Sequence, residues 1–108
     1  FVTVGNTLSV NITPSSTSSK IYLNVTGTLY QSSTGYSVAT IYRDGTTNLG
    51  SAGDRGLMNV YSNPSDSGVG LSMSYLDSPN TTSQVNYQVY FCQKNNYLKF
   101  LILVLRYN

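Results

Sequence analysis

Charged and catalytic residue types are scarce in this chain of 108 residues. Glutamate and histidine are absent, and only 9% of the residues are charged, against roughly 25% in an average soluble protein. Without histidine the chain lacks the commonest general base and the Ser-His-Asp and Cys-His catalytic arrangements. The formal net charge of +2 is too small for a surface that binds nucleic acid electrostatically. We therefore predict that the chain is not an enzyme and has no nucleic-acid partner.

Cysteine is equally scarce, because Cys92 is the only one. A single cysteine excludes a disulfide within this chain, and we expect a free, buried thiol rather than a bridge to a second chain. No segment has the pattern of a signal peptide, and the longest apolar run, residues 98–105, is too short to cross a bilayer. We therefore expect no membrane insertion. Because the chain begins at Phe1 and not at a methionine, we expect a processed product or a piece of a longer protein.

The four acidic residues lie where the pattern predicts loops: Asp44, Asp54, Asp66 and Asp77. Two facing carboxylates could form a glycosidase pair, yet aspartate beside glycine, serine or proline is ordinary turn chemistry. No Asp-x-Asp spacing indicates a calcium loop. Residues 43–45, Arg-Asp-Gly, contain the residue types of an integrin-type tripeptide, but an Asp-Gly pair between two strands predicts a tight hairpin. We predict no catalytic residue, no metal site and no cofactor.

Alternation of apolar and polar residues is the main pattern in the chain, and it is clearest over residues 69–91. The apolar positions of its two arms are Val69, Leu71, Met73 and Tyr75, and then Val85, Tyr87, Val89 and Phe91. This period-two alternation predicts two half-buried β-strands. Residues 77–83 predict the loop between them, because Pro79 cannot donate to a strand ladder and its polar neighbours favour turns.

Six further segments carry strand signals: residues 7–13, 20–30, 36–43, 46–49, 57–62 and 96–107. We expect a bend or bulge at Gly27, where the alternation falters. Residues 96–107 are also compatible with a helix because leucine forms helices well, but their aromatic and β-branched residues favour a strand. Eight strands with frequent turns predict an all-β fold, an antiparallel two-sheet sandwich with a jelly-roll-like topology, as a single domain over residues 1–108.

The predicted core collects the inward positions of these strands: Leu8, Val10, Ile21, Leu23, Val25, Leu71, Met73, Val85, Val89 and Phe100. The last strand is apolar on both faces, which is typical of a strand that is central in a core or covered by another molecule. If Leu101, Leu103 and Leu105 face outwards, the exposed patch exceeds what a monomer tolerates. That arrangement predicts an oligomer.

Tyrosine is the one enriched residue type with a recognition role, and its ten copies are too many for the core of a small domain. Tyrosines at a surface give rigid, amphipathic contact area to sugars or proteins. Two loops, residues 50–56 and 63–68, combine glycine and serine with charge. We predict ligand or receptor binding by residues in or beside these loops, namely Asp54, Arg55, Tyr61 and Asp66, with plain solvated turns as the alternative.

Four segments of the chain form a recognisable series: SVNITPSSTSSKI from Ser9, IYRDGTTNLG from Ile41, MSYLDSPNTTS from Met73 and YQVY from Tyr87. In order and spacing, across residues 8–91, they resemble a module of fibre and appendage proteins in tailed phages, especially phages of marine bacteria and cyanobacteria. Residues 92–108 depart from this module. It often ends in a hairpin rich in serine and glycine, whereas this chain ends in an apolar segment.

The resemblance implies a virion structural protein on the outer surface of a phage particle, assembled as a homo-oligomer, typically a trimer, with other virion proteins. It brings no catalytic residues with it. Three functions fit: a tail-fibre or spike module that attaches to a host-surface glycan, a capsid cement, decoration or head-fibre protein that stabilises the phage head, and a non-viral carbohydrate-binding or adhesin module. Position on the particle separates the first two.

Overall fold

The chain is built from β-strands. The computed structural model describes residues 2–3, 8–31, 35–50, 56–62, 67–94 and 98–107, and the side chains of 8–28, 35–50, 56–61 and 68–91. Its strands are β1 (Val2–Thr3), β2 (Ser9–Ile12), β3 (Ile21–Gln31), β4 (Gly35–Arg43), β5 (Thr47–Asn48), β6 (Met58–Ser62), β7 (Ser67–Asp77), β8 (Val85–Lys94) and β9 (Leu98–Tyr107). No α-helix occurs among the described residues. The predicted all-β class is confirmed.

The strands form two antiparallel sheets, as predicted. In the first sheet β8 and β4 pair at the centre, with β1 and β2 on the far edge of β8 and β5 and β6 on the far edge of β4. In the second sheet β3 lies between β7 and β9. Side chains from both sheets join one hydrophobic core, which is how two half-apolar sheets remove their inner faces from water.

Most of the predicted core residues are buried: Leu8, Ile21, Leu23, Val25, Leu71, Met73, Val85 and Val89. Val10 packs against this core but is only partly buried, because β2 is a short strand at the edge of its sheet. The side chain of Phe100 lies outside the described residues. Tyr87 and Phe91 complete the inward row of β8, with 0% and 2% exposure.

The central strand β4 buries side chains on both of its faces. Ala39 and Ile41 belong to the core between the sheets, while Val38 and Thr40, on the opposite face by alternation, are only 1% and 0% exposed. As a result, only the two ends of β4 leave side chains partly in solvent.

The Asp-Gly hairpin between β4 and β5 forms as predicted. Asp44 and Gly45 both have positive φ, at 53° and 69°, as a type I′ turn requires, and Thr46 N donates to Arg43 O at 3.2 Å. Two hydrogen bonds fix Asp44 to the start of β8. Its N–H donates to Asn86 O at 2.8 Å, and its Oδ1 accepts from Asn86 N at 2.9 Å.

The strand β9 confirms the strand prediction for this segment over the helix alternative, beginning at Leu98. It pairs along β3, with Leu103 opposite Gly27 and Ile102 opposite Thr28. The expected bulge at Gly27 is wrong, because Gly27 pairs regularly with both β7 and β9 and the register shift falls between Tyr30 and Gln31.

Candidate functional site

Two exposed tyrosines lie side by side on the outer face of the first sheet. Tyr36, near the start of β4, pairs with Tyr61, near the end of β6, and their ring centroids are 4.9 Å apart with an interplanar angle of 54°. Direct cross-strand neighbours are close enough for such aromatic contact. Tyr36 is 47% exposed and Tyr61 is 54% exposed. The pair therefore presents aromatic surface to solvent from a strand scaffold rather than from a loop.

Of the four predicted site residues, Tyr61 is the one that the structure describes; Asp54, Arg55 and Asp66 lie outside the described residues. The strand β6 nevertheless separates the two loops that carry them, with residues 51–55 before it and residues 63–66 after it. A strand of five residues is about 17 Å long. The two predicted loops thus flank β6 in the sequence, and Tyr61 is the residue before the last one of this strand.

The first of these loops joins the sheet at a neck formed by Gly50 and Gly56. A Cβ atom at Gly50 would lie 2.5 Å from the carbonyl carbon of Gly56, so only glycine allows the two chain segments to approach this closely. Gly56 also has a φ of +59°, which glycine adopts without strain. On either side of the neck, the N–H groups of Leu49 and Leu57 donate to carbonyls of β4 at 2.9 Å. The two residues that flank residues 51–55 are therefore held against β4.

Asn48 ties the neck to the centre of β4. Its Oδ1 accepts a hydrogen bond from Gly50 N at 2.9 Å and another from the Thr40 hydroxyl. Because Thr40 is fully buried, its hydroxyl needs such a partner to offset the loss of water. One amide oxygen thus satisfies a buried side chain and anchors the loop at the same time.

A second tyrosine pair lies on the same face, at the other end of β4. Tyr42 and Tyr90 stack with ring centroids 4.2 Å apart and an interplanar angle of 29°, and both are half-buried. They are diagonal neighbours, since Tyr90 pairs with Thr40 and Tyr42 pairs with Gln88. The sequence puts Tyr36 and Tyr42 on one face by alternation. It does not reveal the β4–β8 register, so this stack could not be found from the sequence.

A buried polar cluster joins the two sheets near the β4–β5 turn. Asp77, the last residue of β7, accepts two hydrogen bonds from Arg43 Nη1, at 2.7 and 2.8 Å, and one from the Tyr87 hydroxyl at 2.7 Å. Arg43 and Tyr87 pair within the first sheet, whereas Asp77 belongs to the second. Asp77 is only 4% exposed. The assignment of Asp77 to a loop is therefore wrong, because this carboxylate ends a strand and links the sheets.

The contacts in this cluster raise the pKa values of Arg43 and Tyr87. The hydrogen bond to Asp77, together with its negative charge, raises the pKa of Arg43 despite partial desolvation. Burial, followed by the hydrogen bond to Asp77, raises the pKa of Tyr87. A phenol held neutral in the core, with its proton committed to a carboxylate, is suited to structural support and not to proton transfer.

The same contacts show the structural role of residues 43–45, Arg-Asp-Gly. The guanidinium of Arg43 is committed to Asp77, and the carboxylate of Asp44 accepts from Asn86 N. Arg43 is thus used in the contact between the sheets, and the exposed Asp44 bonds to the backbone of β8. The predicted hairpin is thus the role that these residues have.

Among the described residues, no group of three side chains could hold a metal ion. The same residues include no helix with the length and apolar character needed to cross a membrane. No protein-family model, curated protein or solved structure matches the chain. The geometry and chemistry of the tyrosine-bearing face are therefore the structural basis for a functional proposal.

Proposed function

We propose that the chain is a phage virion structural protein, a tail-fibre or spike module that attaches the particle to a glycan on the host surface. The exposed Tyr36–Tyr61 pair carries this proposal. A tyrosine ring offers an apolar face on which a sugar ring can lie and a hydroxyl that can bond to sugar hydroxyls. Because the strands already hold both rings, binding orders few additional torsions, which favours affinity.

The surroundings of the pair offer hydrogen-bonding groups to a sugar. Asn59 lies on the same face as Tyr61, two residues away along β6, and is exposed. Amide and hydroxyl groups bond to sugar hydroxyls without requiring charge. In the proposed site Asp54, Arg55 and Asp66 add hydrogen-bonding groups from the two loops, while Tyr36 and Tyr61 provide the stacking surface.

The resemblance to fibre and appendage modules of tailed phages supports a location on the outer surface of the virion. It also favours a homo-oligomer, with a trimer as the expected state and other virion proteins as further partners. A jelly-roll-like connectivity of the eight predicted strands, which correspond to β2–β9, remains the prediction for the complete sandwich. In this proposal the chain has no catalytic role.

The edge strand β9 supports assembly with other copies. Among the described residues, β9 pairs with β3 alone, and its sequence, LKFLILVLRY, is mostly apolar. A long apolar edge strand invites pairing with another chain unless something covers it. This feature also favours the second candidate, a capsid cement or decoration protein that clamps its neighbours and recognises no host.

Host adsorption tests the proposal. Particles that carry Tyr61→Ala together with Arg55→Ala should adsorb to host cells at least roughly tenfold less, a loss equivalent to about 1.4 kcal/mol of binding free energy. Tyr22→Ala is the matched control, because Tyr22 is 40% exposed but lies in the second sheet. Unchanged adsorption with a folded protein would refute the attachment site and favour cement.

Electron microscopy of the particle separates the remaining alternatives. Density for the protein at the tail agrees with the proposal, whereas density at the three-fold axes of the head identifies a cement protein. A non-viral adhesin predicts glycan binding by the purified protein and no association with particles.

A further inference from the structure

We infer that the sugar bound at the Tyr36–Tyr61 pair is an acidic one, a ring with an anionic substituent, and that Lys94 supplies the cation for this anion. The strand register places three residues in one row on the outer face of the first sheet: Lys94 of β8, Tyr36 of β4 and Tyr61 of β6. This inference rests on the proposed glycan attachment and names the class of sugar that the same site takes.

The spacing of this row suits a single sugar ring with its substituents. Tyr36 pairs directly with Tyr61 on one side and with Lys94 on the other, and directly paired residues share a face of the sheet. Neighbouring strands lie about 4.8 Å apart, so positions 61 and 94 are separated by roughly 10 Å. A ring that lies on the two tyrosines therefore has an edge, where a carboxylate or an ester group is attached, beside position 94.

Lys94 brings the only charge to the paired positions of β4, β6 and β8 on this face. The other positions hold neutral residues: Tyr36, Val38, Thr40, Tyr42, Asn59, Tyr61, Gln88, Tyr90 and Cys92. None of these positions holds a carboxylate that would repel an anion. A cation beside two tyrosine rings favours a ring with an anionic group over the neutral ring.

The two acidic residues that the structure describes lie away from this row. Asp77 bonds to Arg43, and Asp44 bonds to the backbone at the start of β8. Arg43 is seven residues beyond Tyr36 in the sequence, which is about 23 Å along a strand. Neither carboxylate is therefore placed to neutralise a cation at position 94.

The loop residues of the proposed site have a different part. Asp54 and Asp66 lie outside the described residues. As hydrogen-bond acceptors they suit the hydroxyl groups of a sugar, whereas an anionic substituent needs a cation. The preference for an acidic ring therefore depends on Lys94.

NMR titration of the purified protein, in its native assembly, with matched monosaccharides tests the inference. The probes are methyl glucoside, methyl glucuronide, and the sulfate and phosphate esters of methyl glucoside at carbon six, with the galactose series to vary the ring. Acidic members should bind roughly three- to fivefold more tightly than the neutral member, the scale of an exposed ion pair. They should also shift the ring signals of Tyr36 and Tyr61. The three acidic arms show which anion the site prefers.

Variants at two lysines locate the preference. Lys94→Gln should abolish it and leave the affinity for methyl glucoside unchanged, whereas Lys94→Arg should retain it. Lys20→Gln is the matched control, because it removes the same charge from an exposed position just before β3 in the second sheet. This control should keep the preference. An equal loss in both glutamine variants would show attraction to the net charge alone and overturn the inference.

Measurements on the unaltered protein decide the matter if a variant fails to fold. The preference for acidic members should shrink at about 1 M salt, because salt screens exposed charges. Equal affinity for neutral and acidic members, or acidic sugars that leave Tyr36 and Tyr61 unshifted, overturns the inference and leaves the proposed attachment intact. Absence of binding by every probe overturns it too, and host adsorption then decides the proposed function separately.

Discussion

The two ends of β4 use side chains in opposite ways. At one end, Arg43 bonds to Asp77 of the other sheet, and Tyr87 bonds to the same carboxylate. At the other end, Tyr36 and Tyr61 contact each other and leave about half of their surfaces in water. At the first end, polar side chains bond to each other inside the protein. At the second end, the tyrosine rings remain accessible to solvent.

This difference separates stability from recognition along a single strand. Removing a buried partner leaves other polar groups without a bond, which is costly. Removing an exposed ring takes away little buried surface, so the fold should tolerate it. Substitutions at the two ends should therefore have opposite consequences for unfolding and for binding, and the comparison can be tested from either side.

The largest effect is expected from Asp77→Ala. This change leaves the guanidinium of Arg43 and the hydroxyl of Tyr87 without their shared acceptor in a buried place. We expect a loss of about 3 kcal/mol in the free energy of unfolding, typical of a broken buried ion pair, measured by urea denaturation.

Ser78→Ala is the control for this change, because Ser78 is the next residue and is exposed. Its free energy of unfolding should stay within about 0.5 kcal/mol of the original. If Asp77→Ala costs no more than Ser78→Ala, the cluster does not hold the sheets together and the contrast between the ends fails.

The next effect concerns the glycine neck between β5 and β6. Gly56→Ala forces a Cβ to within 2.6 Å of Ala39 O at a φ of +59°, so strain and a backbone clash add together. We expect a loss of about 2 kcal/mol, in the range of residues forced into unfavourable backbone conformations, again measured by denaturation.

Gly70→Ala provides the matched control, since a Cβ there would meet nothing within 4 Å. Its stability should change by less than about 0.5 kcal/mol. Equal losses for Gly56→Ala and Gly70→Ala would show that the neck is not a tight structural element.

Much of the fold could be predicted from local patterns. Alternation predicts the strands because each strand has one face toward the core. The Asp44-Gly45 pair predicts the hairpin because both residues accept a positive φ. The prediction of a bulge at Gly27 was wrong. A glycine in the sequence signals a possible irregularity, but the pairing of the strand with its two neighbours determines whether a bulge forms. Sheet order follows from contacts between distant segments, which alternation does not encode.

The candidate site could be predicted only in part. Tyr61 was accessible to prediction because it stands beside a polar loop, but its partner Tyr36 is identified by the β4–β6 register. Asp77 was misassigned because its neighbours Ser78 and Pro79 read as a turn. Its partners Arg43 and Tyr87 are 34 and 10 residues away, and only the packing of the two sheets brings them together.

A smaller effect should appear as the pH rises. The pKa of Tyr87 is raised in the folded protein, so the folded state favours the neutral phenol more than the unfolded state does. That contribution is complete below about pH 10, the ordinary tyrosine value, and is lost as the pH climbs through the raised folded value. Stability should therefore fall above about pH 10.

Tyr87→Phe isolates this contribution. The variant should lose about 2 kcal/mol at neutral pH, the scale of a hydrogen bond to a charged group, and its stability should fall less steeply above pH 10 than that of the original protein. Parallel pH profiles for the two proteins would contradict the role given to the Tyr87 hydroxyl.

The most direct test combines unfolding and adsorption measurements on one variant, Tyr36→Ala with Tyr61→Ala. If the exposed end of β4 serves recognition, the free energy of unfolding should change by less than about 1 kcal/mol, since only part of each ring is buried. Adsorption of particles to host cells should fall roughly tenfold or more. A variant that unfolds as easily as Asp77→Ala, or that stays folded and adsorbs normally, would contradict the division between the two ends.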